Sequence, residues 1–317
     1  MTKEPARRRL APWVIASPSW SPISQSLVAV HSSLFSSRGD AIDAEAPFLM
    51  TEETGEYKRG VLTRVLSSST KVVPKSLFHP VVARLHLRAE PEMRRVIDRC
   101  DPSGTAIDVG TWYGPWTYWL SKRVRDVQSF EPNPKVAEVL RRGVASNVTV
   151  HECAVSDIEG TAELVLQDLS VGSEGTATIV PGVRGAGSHS VRTCRIDDMG
   201  FTDVRFIKID VEGHERAVLA GAVETMTRDH PVLFVELEER MTDIDATIQM
   251  MVGLGYEARF VMNDEWVSTN DLDLASWQRE FTRTHPTQSY LQTVAKVNGY
   301  VNDVAFVHPQ STWAPWD

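Results

Sequence analysis

The chain has 317 residues, of which 42% are hydrophobic and 24% are charged, so it is long enough to bury a core as one large domain or two small ones. Its formal net charge of −9 argues against a general affinity for nucleic acid, because phosphates favour a basic protein face. No apolar run approaches the roughly 20 residues of a membrane helix, and prolines and serines interrupt the N-terminus where a secretory signal would be continuously apolar.

The three cysteines, Cys100, Cys153 and Cys194, are dispersed and form no C-x-x-C pair. Such a set indicates neither a disulfide framework nor a zinc site. We therefore expect free, buried or half-buried thiols in a cytoplasmic protein.

Residues 1–90 show no clean hydrophobic period and are rich in Ser and Pro. An apolar cluster within residues 75–93 favours a helix there. We expect an N-terminal extension, partly flexible or helical, that docks on the main domain or covers its site. The main domain is expected over residues 91–317.

From about residue 92, short apolar strands alternate with helical patterns, which is typical of βαβ units and a parallel sheet. The predicted strands are 105–109, 127–130, 148–151, 206–209, 232–237, 257–261 and 303–307, and the predicted helices are 92–99, 117–125, 134–142, 215–227 and 243–254. Two extra strands, 161–167 and 190–195, flank a Gly-rich loop over 172–187.

The first motif is a strand that ends in Asp108 and enters a turn with Gly110 and Gly114 before a helix. Glycines let a backbone turn sharply and approach a ligand, but the G-x-G-x-x-G of dinucleotide enzymes is absent because Trp112 stands in the loop. A bulkier loop suits a ligand without a pyrophosphate, such as the methionyl part of S-adenosylmethionine, whose positive charge Asp108 can attract. Trp112 is a candidate ligand contact, although the motif alone also fits an ordinary strand–turn–helix.

The second motif, F-E-P-N-P over residues 130–134, places Glu131 at the end of the next strand and Asn133 on the turn that follows. A carboxylate at this distance can accept hydrogen bonds from both ribose hydroxyls. The alternative is a solvated loop charge.

A third candidate region follows the third strand. Asp157 can accept from an exocyclic amine of adenine, and the backbone of Ala154 can lie near the ring. A simple β-turn opened by Ser156 and Asp157 explains the same residues.

The fourth motif crowds the end of one alternating apolar strand with four ionisable side chains, namely Asp210, Glu212, His214 and Glu215. Ligands of open α/β sheets bind at the carboxyl ends of the strands, and crowded charges are costly unless they have partners or a role. A purely structural network is the alternative.

Together these motifs resemble the FkbM family of methyltransferases, most specifically in I-K-I-D-V-E-G-H-E over residues 207–215. The resemblance runs over residues 106–238, with an echo at 302–308, and departs from the family at Thr111 and Trp112, where Ala-Asn is usual. It implies a Rossmann-like methyltransferase sheet that is mostly parallel with a reversed last strand. It also implies S-adenosylmethionine as cofactor and hydroxyls of sugars or polyketides as acceptors.

Methylation of a hydroxyl needs a base within hydrogen-bond reach of the acceptor. The candidates at the strand ends are Asp210, His214 and Glu236. A divalent metal held by Asp210, Glu212 and Glu236 is a possible variation that the spacing does not require.

We therefore expect an enzyme that methylates a small-molecule or glycan acceptor, with acceptor contacts on the loops 172–187 and 265–290. An NAD-dependent oxidoreductase and a non-catalytic binding protein of the same fold are the alternatives. S-adenosylhomocysteine and NAD binding discriminate between them.

Overall fold

The structure is a computed structural model that describes residues 75–90, 92–166, 177–285 and 299–316. All of these residues belong to one compact unit, Lys58–Asp317. The helices are α1 (Lys75–Ala89), α2 (Glu92–Arg99), α3 (Pro115–Leu120), α4 (Pro134–Arg141), α5 (Glu215–Ala220), α6 (Val223–Asp229), α7 (Ile244–Gly253) and α8 (Leu274–Thr284). The strands are β1 (Thr105–Val109), β2 (Asp126–Phe130), β3 (Val148–His151), β4 (Ala154–Val155), β5 (Gly160–Leu166), β6 (Gly187–Cys194), β7 (Val204–Ile209), β8 (Val232–Glu236), β9 (Glu257–Met262), β10 (Glu265–Ser268) and β11 (Asp303–Val307).

The main sheet has eight strands in the order β10-β9-β11-β8-β7-β1-β2-β3. Strands β3, β2, β1, β7 and β8 pair in parallel, whereas β11 runs antiparallel to both β8 and β9. The fold is therefore a mostly parallel α/β sheet with a reversed last strand, and the predicted fold class is confirmed.

The central strands are apolar on both faces because helices cover both sides of a parallel sheet. Along β1, Ile107 and Val109 belong to one core layer and Ala106 to the other, since successive side chains of a strand point to opposite faces. Every residue of β1 and β11 is buried. This rigid sheet fixes the positions of the residues that follow its strands.

Several predicted elements have different boundaries in the structure. The predicted helix 215–227 is two helices, α5 and α6, separated at Gly221 and Ala222. The carbonyl of Gly221 accepts from the amide of Asp197 (3.0 Å). The predicted helix 117–125 begins at Pro115 and ends at Leu120, and β10 was not predicted. Residues 172–176 of the predicted Gly-rich loop lie outside the described residues, as does the extension before residue 75.

A second sheet of three strands, in the order β4-β6-β5, carries the predicted extra strands. Its pairing places Val155 of β4 opposite Cys194 of β6, and Cys194 forms a disulfide with Cys153. The prediction of three free thiols is wrong for these two, because they are 41 positions apart in the chain and only the strand pairing brings them together. Cys100 is a buried free thiol, as predicted, and burial raises its pKa to about 12.

Within the part of the chain that the structure describes, no helix has both the length and the apolar character that crossing a bilayer requires.

Candidate functional site

The ends of three neighbouring parallel strands meet at Gly110. Its backbone has φ +78°, and a Cβ built on it would lie 1.7 Å from the backbone oxygen of Asp210. The amide of Gly110 donates to the carbonyl of Phe130 (3.1 Å), and the amide of Asp210 donates to the carbonyl of Val109 (3.0 Å). Only glycine can adopt this left-handed conformation and also lie this close to the backbone oxygen of Asp210. The turn after β1 is therefore held between the ends of β2 and β7.

Glu131 lies directly beside this turn. One carboxylate oxygen accepts from the amide of Trp112 (2.9 Å), and the other accepts from the amide of Asn133 (2.8 Å). Trp112 itself adopts a left-handed conformation with φ +50°. The sequence-predicted residues Gly110, Trp112 and Glu131 are thus brought together by the structure.

Asn133 has a local role that its position after a strand did not reveal. Its side-chain oxygen accepts from the amide of Lys135 (3.1 Å) and caps α4, with Pro134 at the first helical position. This is an ordinary N-cap. It orients the loop that carries Glu131.

Asp108 is buried beneath the turn, with 2% of its surface exposed. Its carboxylate accepts from the hydroxyl of Thr117 (2.6 Å), which in turn shares a hydrogen bond with the hydroxyl of Ser129 (2.7 Å). Burial raises the pKa of Asp108 to about 6. In the structure this carboxylate therefore joins β1 to helix α3. The attraction of Asp108 for a cationic ligand stays a prediction.

Helix α1 covers the side of the turn that Gly114 occupies. A Cβ on Gly114, which has φ +73°, would lie 2.7 Å from Leu140 and 3.0 Å from the Nε2 atom of His79. Burial lowers the pKa of His79 to about 4, so this imidazole is neutral. The buried Nε1 atom of Trp112 has no hydrogen-bond partner among the described residues.

Ala154, Asp157 and His214 lie at the edge of the second sheet. Ala154 is paired with Thr193 of β6. The hydroxyl of Ser156 donates to Asp157 (3.0 Å) and also contacts the Nε2 atom of His214 (3.0 Å). The two predicted residues Asp157 and His214 are therefore neighbours through Ser156.

This environment determines the charge state of His214. Burial lowers its pKa, and Asp157 acts in the opposite direction. The side-chain contact of His214 is with Ser156, not with its neighbour Glu215. Glu215 instead accepts from the amide of Gly213 (2.8 Å).

Asp210 and Glu236 form a carboxyl pair at the ends of β7 and β8. A hydrogen bond from Glu236 stabilises the charged form of Asp210. Burial first, and then the charge of Asp210, raise the pKa of Glu236 well above its usual range. Burial also raises the pKa of Asp210. Because two adjacent carboxylates cannot both ionise at low cost, this pair favours a shared proton.

Lys208 provides the positive charge beside this pair. Its ammonium is buried, 3.5 Å from a carboxylate oxygen of Asp303 and 4.0 Å from one of Asp210. Burial opposes its charge, but the surrounding carboxylates, Asp303 first, outweigh burial and raise the pKa of Lys208. Asn302, just before β11, donates to Glu236 (2.6 Å).

Lys208, Asn302 and Asp303 are not among the residues that the sequence predicts for the site. A lysine within an otherwise apolar strand does indicate that Lys208 has a buried acidic partner, since an unpaired buried ammonium is costly. The partner on β11 is about a hundred residues away in the chain, and only the sheet order places it beside β8.

The metal hypothesis gains no support from the geometry of the donors. Among the described residues, no group of three or more His, Cys, Asp or Glu side chains is arranged to hold a metal ion. The carboxylates of Asp210 and Glu236 face the ammonium of Lys208 and each other instead.

Part of the sequence matches the profile of a known protein family. Residues 104–258 match the sequence profile described as the methyltransferase FkbM domain. No curated protein is significantly similar to the chain in sequence.

Three solved structures are similar to parts of this chain at low identity. A methyltransferase FkbM from Methylobacillus flagellatus KT is 17% identical over 65% of this chain and 57% of its own, with a TM-score of 0.39. A precorrin-6y C5,15-methyltransferase from Geobacter metallireducens GS-15 is 11% identical over 69% of this chain and 87% of its own, with a TM-score of 0.37. A putative methyltransferase from Streptococcus mutans in complex with SAH is 10% identical over 69% of this chain and 96% of its own, also with a TM-score of 0.37.

Proposed function

We propose that this chain, whose residues 104–258 match the methyltransferase FkbM domain, transfers the methyl group of S-adenosylmethionine to a hydroxyl of a sugar or other small metabolite. The observation that carries the proposal is the convergence of Gly110, Glu131 and Asp210 at the carboxyl ends of β1, β2 and β7. The strand order reverses at β1, and ligands of open α/β sheets bind at such a switch point.

The residues at the turn fit the parts of this cofactor. Glu131 has a carboxylate that can accept further hydrogen bonds from ribose hydroxyls, since each oxygen has two lone pairs. The buried, unpartnered Nε1 atom of Trp112 offers a donor to an acceptor group such as a carboxylate. Gly110 and Gly114 keep the backbone open to a ligand, and Asp108 adds a negative charge behind the turn.

The adenine end of the ligand is assigned to the loop after β3. Ala154 is buried and held in the second sheet, and Asp157 is exposed beside it. In this proposal the carboxylate of Asp157 accepts from the exocyclic amine, and Ser156 keeps that carboxylate in place (3.0 Å).

When bound, S-adenosylmethionine supplies a methyl group whose bond to sulfur breaks, with its electron pair left on sulfur, as the acceptor oxygen bonds to the methyl carbon. The protein then has to orient the acceptor and take its hydroxyl proton. We assign proton acceptance to Asp210, whose side chain is 35% exposed and thus within reach of a ligand. We place the shared proton on Glu236, which orients Asp210 through its hydrogen bond.

A cavity of about 780 Å³ beside the second sheet is the proposed space for the acceptor, a size usual for small-molecule sites. It is lined by residues of β5 and β6, by residues 179–183 and Gly185, by His214, and by Ser156 and Asp157 next to the proposed adenine position. None of these described lining residues is a lysine or an arginine. Thr178, next to this lining, donates to the backbone oxygen of Glu212 (2.9 Å), which joins the cavity wall to the turn after Asp210. Without cations to neutralise an anion, the cavity favours an uncharged hydroxylated acceptor over a phosphorylated one.

A transfer assay with radiolabelled S-adenosylmethionine tests the proposal on paired acceptors, such as neutral hexosides and the matching hexose phosphates. We expect label on the neutral member of a pair, and Asp210→Asn to lower turnover roughly 100-fold with little change in S-adenosylhomocysteine affinity. NAD binding in place of S-adenosylhomocysteine would favour the oxidoreductase alternative. Cofactor binding without transfer to any acceptor would favour the non-catalytic one.

A further inference from the structure

His214 stands just before α5 and is half-buried in the wall of the cavity beside the second sheet. The turn that leads into it is tied to that sheet, because the hydroxyl of Thr178 donates to the backbone oxygen of Glu212 (2.9 Å). Thr178 in turn exchanges two backbone hydrogen bonds with Val165 of β5 (2.8 and 3.1 Å). The imidazole is therefore held at the cavity before any ligand binds, which reduces the entropic cost of using it as a ligand contact.

A chain of hydrogen bonds determines which nitrogen of this imidazole carries the proton. The hydroxyl of Ser156 has one hydrogen and donates it to the carboxylate of Asp157 (3.0 Å), which can only accept when ionised. The same hydroxyl oxygen lies 3.0 Å from the Nε2 atom of His214, so in this contact Nε2 is the donor. Burial lowers the pKa of His214, so at neutral pH the ring has a single proton. That proton is on Nε2, and Nδ1 is an unprotonated acceptor.

The Nδ1 atom is open to the cavity. It makes no hydrogen bond within the part of the chain that the structure describes, and it is not one of the polar atoms buried there without a partner. Because the ring lines the cavity, a ligand in the cavity can reach this lone pair. An unprotonated imidazole nitrogen binds an O–H or N–H donor, and it gives no hydrogen bond to an ether oxygen or to an anion.

We infer that His214 is a specificity-determining residue, whose Nδ1 atom accepts a hydrogen bond from a second hydroxyl of the methyl acceptor while Asp210 takes the proton of the reacting hydroxyl. This inference rests on the function proposed above. It narrows the acceptor to a neutral molecule with at least two free hydroxyls. An acceptor whose second hydroxyl is missing or already methylated is a poor substrate, because it leaves the Nδ1 acceptor unpaired.

Kinetics on a set of analogues test this contact. The set is a methyl hexoside with its monodeoxy and mono-O-methyl derivatives, assayed by transfer from radiolabelled S-adenosylmethionine. For the wild type, change of one hydroxyl other than the reacting one should lower kcat/KM at least about tenfold. His214→Phe keeps a planar ring but has no nitrogen, so the intact hexoside and that derivative should differ by less than about twofold. The affinity for S-adenosylhomocysteine should stay within about twofold.

Two further variants separate the acceptor nitrogen from the shape of the ring. His214→Asn can place an oxygen where Nδ1 stands, since both atoms are bonded to Cγ, and should restore part of the discrimination. The matched control is His189→Phe, which changes a half-buried histidine of β6 that does not line the cavity. It should discriminate between the analogues as the wild type does.

A readout that needs no acceptor is the pair of ¹⁵N NMR resonances of the His214 ring, assigned by their loss in His214→Phe. At neutral pH, Nε2 should have the chemical shift of a protonated nitrogen and Nδ1 that of an unprotonated one. In Ser156→Ala the Nε2 proton loses its partner, so the two shifts should move towards each other.

The inference is overturned if Nδ1 carries the proton in the wild type, or if His214→Phe still discriminates between the analogues. Equal kcat/KM of the wild type for the hexoside and all derivatives that keep the reacting hydroxyl overturns it as well. Failure of the proposed function has a different signature: the wild type would bind no S-adenosylhomocysteine or label no hexoside, while the ring of His214 still shows the expected protonation.

Discussion

Replacement of Gly110 by alanine tests the turn on which the cofactor site depends. The new Cβ would lie 1.7 Å from the backbone oxygen of Asp210, more than 1 Å inside the 3.0 Å that real Cβ atoms keep. The strand ends must separate, which strains or breaks the hydrogen bond from the amide of Asp210 to Val109 (3.0 Å). The left-handed backbone costs about 1 kcal/mol, overpacking about 1–3 kcal/mol and the hydrogen bond about 1 kcal/mol.

Gly200→Ala is the matched control, because Gly200 has φ +68° but nothing within 4 Å of a Cβ. It carries only the backbone cost, about 1 kcal/mol, whereas Gly110→Ala costs roughly 3–5 kcal/mol. At about 2–4 °C per kcal/mol, differential scanning calorimetry should show a small Tm decrease for the control and a decrease several times larger for Gly110→Ala. The affinity for S-adenosylhomocysteine should fall at least about tenfold in Gly110→Ala only. Equal Tm decreases with unchanged affinity would refute the assigned role of this turn.

Three further predictions follow from the buried groups. Glu236→Gln should retain most of the turnover that Asp210→Asn loses, because glutamine imitates the protonated form of Glu236, which burial and the charge of Asp210 favour; a transfer assay in which the two variants lose activity equally would contradict this. Reduction of the Cys153–Cys194 disulfide, which closes a loop of 41 residues, should lower stability by about 2–4 kcal/mol, measured as the Tm with and without reductant; an unchanged Tm would count against the bond. Burial raises the pKa of Glu215 to about 7, so the folded state binds its proton more tightly than the unfolded state, and stability should fall as pH rises from about 4.5 to 7. In denaturant titrations, the free energy of unfolding of Glu215→Gln should depend less on pH over that window than that of the wild type. An unchanged pH dependence would be inconsistent with this assignment.

The sequence predicted those parts of the fold that local patterns encode. Strand β1 reads as a short apolar run ended by Asp108 and Gly110, and the turn F-E-P-N-P begins α4 through Asn133 and Pro134, which act as cap and first helical residue. Because parallel strands end at one edge, the ends of β1, β2 and β7 could be placed together before any distance was known.

Contacts between distant segments escaped the same reasoning. The Cys153–Cys194 disulfide depends on the pairing of β4 with β6, and β4 is only two residues long. Lys208 and Asp303 meet because β11 inserts beside β8, which no local pattern encodes. His214 was grouped with Asp210 by proximity in sequence, yet it contacts Ser156 on another element.

The most direct test of the proposed site is calorimetric titration of the wild-type protein with S-adenosylhomocysteine and, separately, with NAD. We predict micromolar binding of S-adenosylhomocysteine and none of NAD, with the affinity strongly reduced in Glu131→Ala while its Tm stays close to that of the wild type. Failure of S-adenosylhomocysteine to bind, or an affinity unaffected by loss of the Glu131 carboxylate, would contradict the assignment of this sheet edge as the cofactor site.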